Sequence, residues 1–229
     1  MTNRKPKDKD KAWNKRKLIN KRELGNLIIR NLFHIYCEGE NTETEYFKSF
    51  LVNTETIITA IGLGRSKTSL VEKTIELLTR DGLMKRQPNF DADRQLWVVF
   101  DYDIRGDVNE AADFNHAIEV AIQKGIHVAY SNDSFELWFV LHFQYQTAAV
   151  TRFEYYEILS SKLNLNYEEV GKSKDFVKSV YHILLSNQSK ALQNAKRLHE
   201  QKINESFCDQ NPCTTVYKLV EELNKCIKS

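Results

Sequence analysis

Short apolar runs alternate with amphipathic stretches along the first 145 residues. Leu32-Phe33-His34-Ile35-Tyr36-Cys37 is compact, apolar and aromatic, the signature of a buried strand. Thr42 to Val52 places Tyr46, Phe47, Phe50 and Leu51 at helical spacing, with Thr42 or Thr44 as cap and Glu43 and Glu45 in the first turn. Ile57–Ile61 forms a second strand, closed by Gly62 and Gly64. Ser66–Leu83 reads as a helix, and Gln95–Phe100 as the strongest strand in the chain. A helix near Asn109–Lys124 stops at Gly125, and His127–Tyr130 makes a fourth strand. This order predicts an α/β fold: βαβ units building a mostly parallel four-stranded sheet covered by helices.

From residue 134 the period becomes helical. Ser134 caps a dense aromatic–aliphatic helix through Phe135, Trp138, Phe139, Leu141, His142 and Phe143. Further helices are expected near 152–163, 173–185, 188–203 and 214–227. Asn211-Pro212 breaks the chain before the last one, and Thr214 or Thr215 caps it. The expected organisation is a basic N-terminal arm over 1–24, an α/β domain over 25–145, and a helical C-terminal part over 146–229 packed on it.

Composition changes this picture in three ways. With 229 residues, 41% hydrophobic and 28% charged, the chain can build a packed core, so global disorder is excluded. No apolar run approaches the ~20 residues of a membrane span. No basic segment leads into an apolar one, and the four cysteines contain no CxxC pair. The expectation is a cytoplasmic protein without a membrane role. Finally, residues 1–22 hold ten Lys and Arg against two Asp, a net +8, which leaves −6 for the rest of a chain at +2. Lys15, Arg16 and Lys17 in this arm suit a nucleic-acid backbone, since each cation on a phosphate releases a counterion. The bland alternative is a solvated tail.

In open α/β sheets, chemistry gathers at the carboxyl ends of strands. Three strands end suggestively: the first in Glu38-Gly39-Glu40, the third in Asp101-Tyr102-Asp103, the fourth in Ser131-Asn132-Asp133-Ser134-Phe135-Glu136. Alternate strand residues share a face, so Asp101 and Asp103 can point to one place. Carboxylates ~4 Å apart repel by roughly 4 kcal/mol per pair at an effective dielectric near 20. Glu38 and Glu136 in the same place would multiply that cost. Protonation, a Lys or Arg partner, or a divalent cation would relieve it. All-oxygen ligation favours Mg2+ or Mn2+ over Zn2+. A DxD is equally a polar strand exit or a helix cap. Glu38 has an alternative as a turn residue beside Gly39, and Glu43 and Glu45 as helix-start acids. His142 is expected to be packed or hydrogen-bonded rather than catalytic.

Cys37 to Phe47, Val98 to Asp103, Ser131 to Phe143 and Asn211 to Val220 together resemble the RloB family, over about residues 25–229. The resemblance implies a Toprim-type Rossmann-like domain with a helical C-terminal part, a setting in bacterial restriction and abortive-infection loci, and a neighbouring ABC-type ATPase. By that likeness Glu38 holds a metal or moves protons, Asp101 and Asp103 form the metal-binding DxD, and Ser134 and Glu136 match a Ser-x-Glu whose glutamate helps hold a second metal. Glu43 is the nearest match to a further acidic position, one residue off in spacing. Lys172 or Lys174 stands for a later lysine, Lys174 being taken as catalytic. The implied chemistry is Mg2+- or Mn2+-dependent phosphodiester hydrolysis in antiphage defence, with RNA such as tRNA favoured over DNA by analogy alone. Arg105 and the Lys85-Arg86 pair would help the arm hold the backbone. Homo-oligomerisation is left open.

Rival readings are weaker. A haloacid-dehalogenase-like phosphatase wants Thr or Val where Arg105 stands, and a DxD glycosyltransferase lacks any other motif. A non-catalytic alternative keeps a structural metal site on a subunit that binds nucleic acid or an ATPase. Cys208, Cys213 and His199 are poorly spaced for zinc, and there is no Walker A loop.

Overall fold

The computed structural model describes residues 29–84, 93–103 and 108–228. The strands are β1 (Asn31–Cys37), β2 (Thr56–Gly62), β3 (Asp93–Asp101), β4 (His127–Asn132) and β5 (Cys213–Thr214), in sheet order β2-β1-β3-β4-β5. The first four pair in parallel; β5 runs antiparallel to β4 through Ser131↔Thr214 and Asn132↔Cys213. Among the described residues the sheet therefore has five strands, not the expected four. A two-residue strand has no readable period, and Cys213-Thr214 becomes one only because the returning chain meets β4.

Alternation along the strands sorts the core onto two faces. Leu96, Val98, Phe100, Tyr36 and Tyr130 pack under α2 (Lys67–Arg80) and α3 (Val108–Gln123). Phe33, Ile35, Cys37, Trp97, Val99 and Ala129 face a larger cluster. Its helices are α1 (Thr42–Lys48), α4 (Glu136–Phe143), α5 (Arg152–Leu163), α6 (Tyr167–Val170), α7 (Lys174–Leu185), α8 (Gln188–Lys202) and α9 (Val216–Asn224). One apolar cluster thus joins the sheet face to the C-terminal helices. Tyr46 is its hub, accepting a hydrogen bond from Trp138 Nε1 at 2.8 Å and meeting the Phe135, Phe139 and Tyr181 rings.

Several expected caps are replaced. Neither Thr42 nor Thr44 caps α1: Asn41 holds that position without a side-chain bond, and Thr44 Oγ1 donates to Gly39 O at 2.8 Å. Ser134 does not cap α4, which begins at Glu136. Thr215 stands at the start of α9, yet its hydroxyl accepts from Tyr130 N at 2.9 Å. Thr44 thus bonds back to the β1 exit and Thr215 bonds across the fold to β4, while Thr214 Oγ1 accepts from Val216 N at 3.3 Å at the start of α9. The basic arm, with Lys15, Arg16 and Lys17, and the residues Lys85, Arg86 and Arg105 lie outside the described residues.

Candidate functional site

The strand order reverses between β1 and β3, because the chain leaves β1 for β2 on one side and then returns to β3 on the other. Open α/β sheets leave a crevice at such a switch point, beyond the carboxyl ends of the strands. Glu38 follows β1 and Asp101 ends β3, so this crevice opens between them. Glu38 N donates to Val99 O at 2.8 Å, and Glu38 Oε2 accepts from Asp101 N at 3.3 Å.

A cavity of about 220 Å3 lies there, and Glu38, Glu40, Glu43, Asp101, Asp103 and Glu136 all line it, with Arg152 and Lys172 as its cations. Four carboxyl groups are held away from their ordinary state. Burial pushes Glu38 up to about 7, although the Asp101 backbone N–H, Lys67 and Arg152 oppose the shift. Burial raises Glu43, and the charge of Glu136 adds to it. Asp101 is raised well above the carboxylate range by burial and then by Glu43, Glu38 and Glu136. Burial raises Glu136 as well. The acids are therefore near enough to feel one another, and the two cations do not balance them.

The hydrogen bonds show what each oxygen is doing. Asp101 Oδ2 accepts from Phe135 N at 2.9 Å, so this aspartate serves the entry to α4 in place of Ser134. Its Oδ1 is buried with no hydrogen-bond partner. Leaving such a group unpaired costs about 1–3 kcal/mol or more. Glu43 Oε1 accepts from Gly39 N at 3.3 Å. A side chain on Gly39 would put its Cβ 2.0 Å from Glu43 Oε2, so glycine is what lets this carboxylate fold back over the β1 exit. Glu136, 4% exposed, meets the Tyr167 hydroxyl at 3.5 Å. Ser134 Oγ makes no hydrogen bond of proper geometry, although it stands near enough to Glu136 to favour its charged form.

Asp103 differs from this group. β3 ends at Asp101, and Asp103 takes a left-handed φ of 53°, so strand alternation does not place it. Arg152 does: its guanidinium pairs with Asp103 and lies 3.9 Å from Asp133, while Arg152 N donates to Asp133 Oδ2 at 3.0 Å. The two halves of the DxD thus line one cavity under different constraints, one acid crowded by acids and the other matched by an arginine.

The donor chemistry of the cavity, carboxylate oxygens with one buried oxygen unpaired, is of the kind a hard dication takes. Among the described residues, however, no three Asp, Glu, His or Cys side chains stand close enough to hold a metal ion as placed.

A family model described as RloB-like protein matches residues 33–223. The chain belongs to the RloB-like family. No curated protein and no solved structure matches it.

In this RloB-like chain the later lysines part company. Lys172 lines the cavity and sits 5.9 Å over the Tyr156 ring; its charge favours ionised Glu43 and Glu136. Lys174 is the exposed first residue of α7 and is not part of the cavity wall. Glu45 is also outside, buried against Lys48 at 3.1 Å and Lys178 at 3.8 Å. His142 is buried, its Nδ1 2.9 Å from Trp138 O, and burial lowers it to about 4, as expected of a packed histidine. Sequence reasoning missed Arg152, Asp133, Tyr156 and Tyr167. Nothing in the chain marks Arg152 beyond its place at a helix start; only the fold returns α5 to the DxD. No helix among the described residues is long and apolar enough to cross a membrane.

Proposed function

We propose that this RloB-like protein is a metal-dependent endonuclease of the Toprim type. In this reading it hydrolyses phosphodiester bonds as an effector of antiphage defence by abortive infection, acts on RNA such as tRNA in preference to DNA, and answers to a partner ABC-type ATPase. The observation that carries the reading is the single cavity at the β1/β3 switch point, lined by Glu38, Glu43, Asp101, Asp103 and Glu136 with one carboxylate oxygen buried and unpaired. Glu38, Asp101, Asp103 and Glu136 would hold Mg2+ or Mn2+, with Glu43 and the exposed Glu40 also on the cavity wall. When bound, such ions supply Lewis-acid stabilisation of the phosphate and a water nucleophile at neutral pH. Lys172 meets a phosphate oxygen from the open side of the cavity. Arg152, anchored by Asp103 and Asp133, fixes the wall against which the strand lies. Asp101 couples the site to the frame by holding the start of α4 through Phe135 N.

One observation favours a second reading, a non-catalytic subunit that binds nucleic acid or the ATPase: the acids are not gathered into a ready ligand set. Incubating the full chain with tRNA and with plasmid DNA separates the two. The arms are Mn2+, EDTA, a co-expressed neighbouring ATPase, and Asp101→Asn. The nuclease reading expects Mn2+-dependent cleavage that Asp101→Asn loses. Binding without cleavage in every arm, or cleavage equal in EDTA and in the variant, overturns it.

A further inference from the structure

A second cavity, of about 520 Å3, shares Asp103 and Arg152 with the acidic one. Its size lies within the range of about 300–1,000 Å3 typical of small-ligand sites. Ala149, Val150 and Phe153 give it an apolar wall. Phe153 is 61% exposed, so its ring face is open to a visitor. It touches Tyr156, one turn along α5, with ring centroids 6.0 Å apart, and Tyr156 lines the acidic cavity. The two cavities thus adjoin across the Asp103–Arg152 ion pair and one turn of helix.

Most polar groups of the second cavity are already engaged. Glu154 Oε2 accepts from Thr151 N at 2.8 Å and from Thr151 Oγ1 at 3.2 Å, and Asp133 serves Arg152. Asn211 is the exception: its Oδ1 is buried and has no hydrogen-bond partner. A side-chain amide offers donors and an acceptor side by side, and leaving it unsatisfied is costly. Asn211 opens the Asn211-Pro212-Cys213-Thr214 segment, which the acidic cavity leaves without a role.

An exposed aromatic ring, an apolar wall and an amide whose oxygen lacks a partner fit one ligand chemistry closely. A nucleobase has a flat face that stacks and an edge that takes amide hydrogen bonds. Resting on the nuclease reading, we propose that this cavity takes one unstacked base of the substrate strand, next to the phosphodiester held in the acidic cavity. The base stacks on Phe153, and its edge lies on the Asn211 side of the cavity. The substrate class is then single-stranded or looped nucleic acid, because a base inside a duplex cannot present its face to a side chain.

The test uses the full chain in EDTA, so that nothing is cut. The probes are single-stranded RNA and DNA heptamers carrying one 2-aminopurine, whose fluorescence is quenched on stacking, with affinity read by anisotropy. Wild type is expected to quench the probe. Phe153→Ala loses the quench and binds about tenfold more weakly, the loss that goes with one base stack. Phe153→Trp restores both. The ring is exposed, so a melting curve matching wild type shows that each variant is folded. The difference between the RNA and DNA arms names the source of the base. Equal quench and affinity in wild type and Phe153→Ala, or no quench with wild type, overturns the proposal. The two readings fail separately. Mn2+-dependent cleavage with no role for Phe153 sinks the base site alone. A Phe153-dependent quench without cleavage under any condition supports the base site and sinks the nuclease.

Discussion

Two groups of acids share the rim of this sheet and are treated in opposite ways. Asp103 and Asp133 are matched by one arginine, whose guanidinium faces both and whose backbone N–H goes to Asp133. Glu38, Glu43, Asp101 and Glu136 crowd together a few residues away, and burial raises the pKa of each. The matched group is what a structural ion pair looks like, where the cation offsets the desolvation of the carboxylates. The crowded group carries a standing cost in the folded state, which is the pattern expected where groups are arranged for chemistry rather than stability. Neutralising a member of the first group should therefore weaken the protein, and neutralising a member of the second should strengthen it.

The largest effect is expected from Arg152→Ala. It takes the guanidinium away from two carboxylates, one of them in a residue 4% exposed, and should cost about 3 kcal/mol. That corresponds to a melting point roughly 6–12 °C lower for a chain of this size. An unchanged melting curve would mean that the pair with Asp103 is only a surface contact.

Next comes the pH dependence of the metal-free protein. Glu38 titrates at about 7 when folded and near 4.5 when unfolded. The folded state therefore holds its proton more tightly. The stability this contributes is fully present below pH 4.5 and is lost as pH rises through 7. Its size is on the order of 2 kcal/mol, allowing for the partial exposure of Glu38. Glu43, Asp101 and Glu136 shift in the same direction. Melting points in EDTA should fall from pH 5 to pH 8, and Glu38→Gln should flatten the fall. Excess Mn2+ should flatten it in wild type but not in Asp101→Asn. A rise with pH would contradict the crowded-acid picture.

The smallest effect is expected from Glu45→Gln. This acid neighbours the cavity in sequence but pairs with Lys48 and Lys178 instead. Stability should change by less than about 1 kcal/mol and cleavage rates should match wild type. A large loss of cleavage would move Glu45 into the crowded group of acids.

Much of the fold was legible because its signals are local. The parallel strands end at Cys37, Asp101 and Asn132 close to where hydrophobic runs end, and α5, α7 and α8 follow their apolar spacing. Glu38, Asp101, Asp103 and Glu136 could be placed on one rim because strand ends in an α/β sheet converge. Glu43 was harder: its position in a first helical turn suits an acid for local reasons, and only the close approach allowed by Gly39 turns it into the cavity. Lys174 and Lys172 are two residues apart in a loop-to-helix junction, where no periodicity decides which one faces the site.

The linear chain determined four of the strands and most of the helices, that those four strands run parallel, and that acids stand at their ends, because hydrophobic period and chain order are properties of neighbours in sequence. Tertiary structure alone decided the fifth strand, the pairing of Arg152 with Asp103, and the service of Asp101 to Phe135 in place of Ser134. Each joins groups tens of residues apart, and no local pattern encodes the angle at which a helix returns to a strand. Partner choice among buried charges follows that angle.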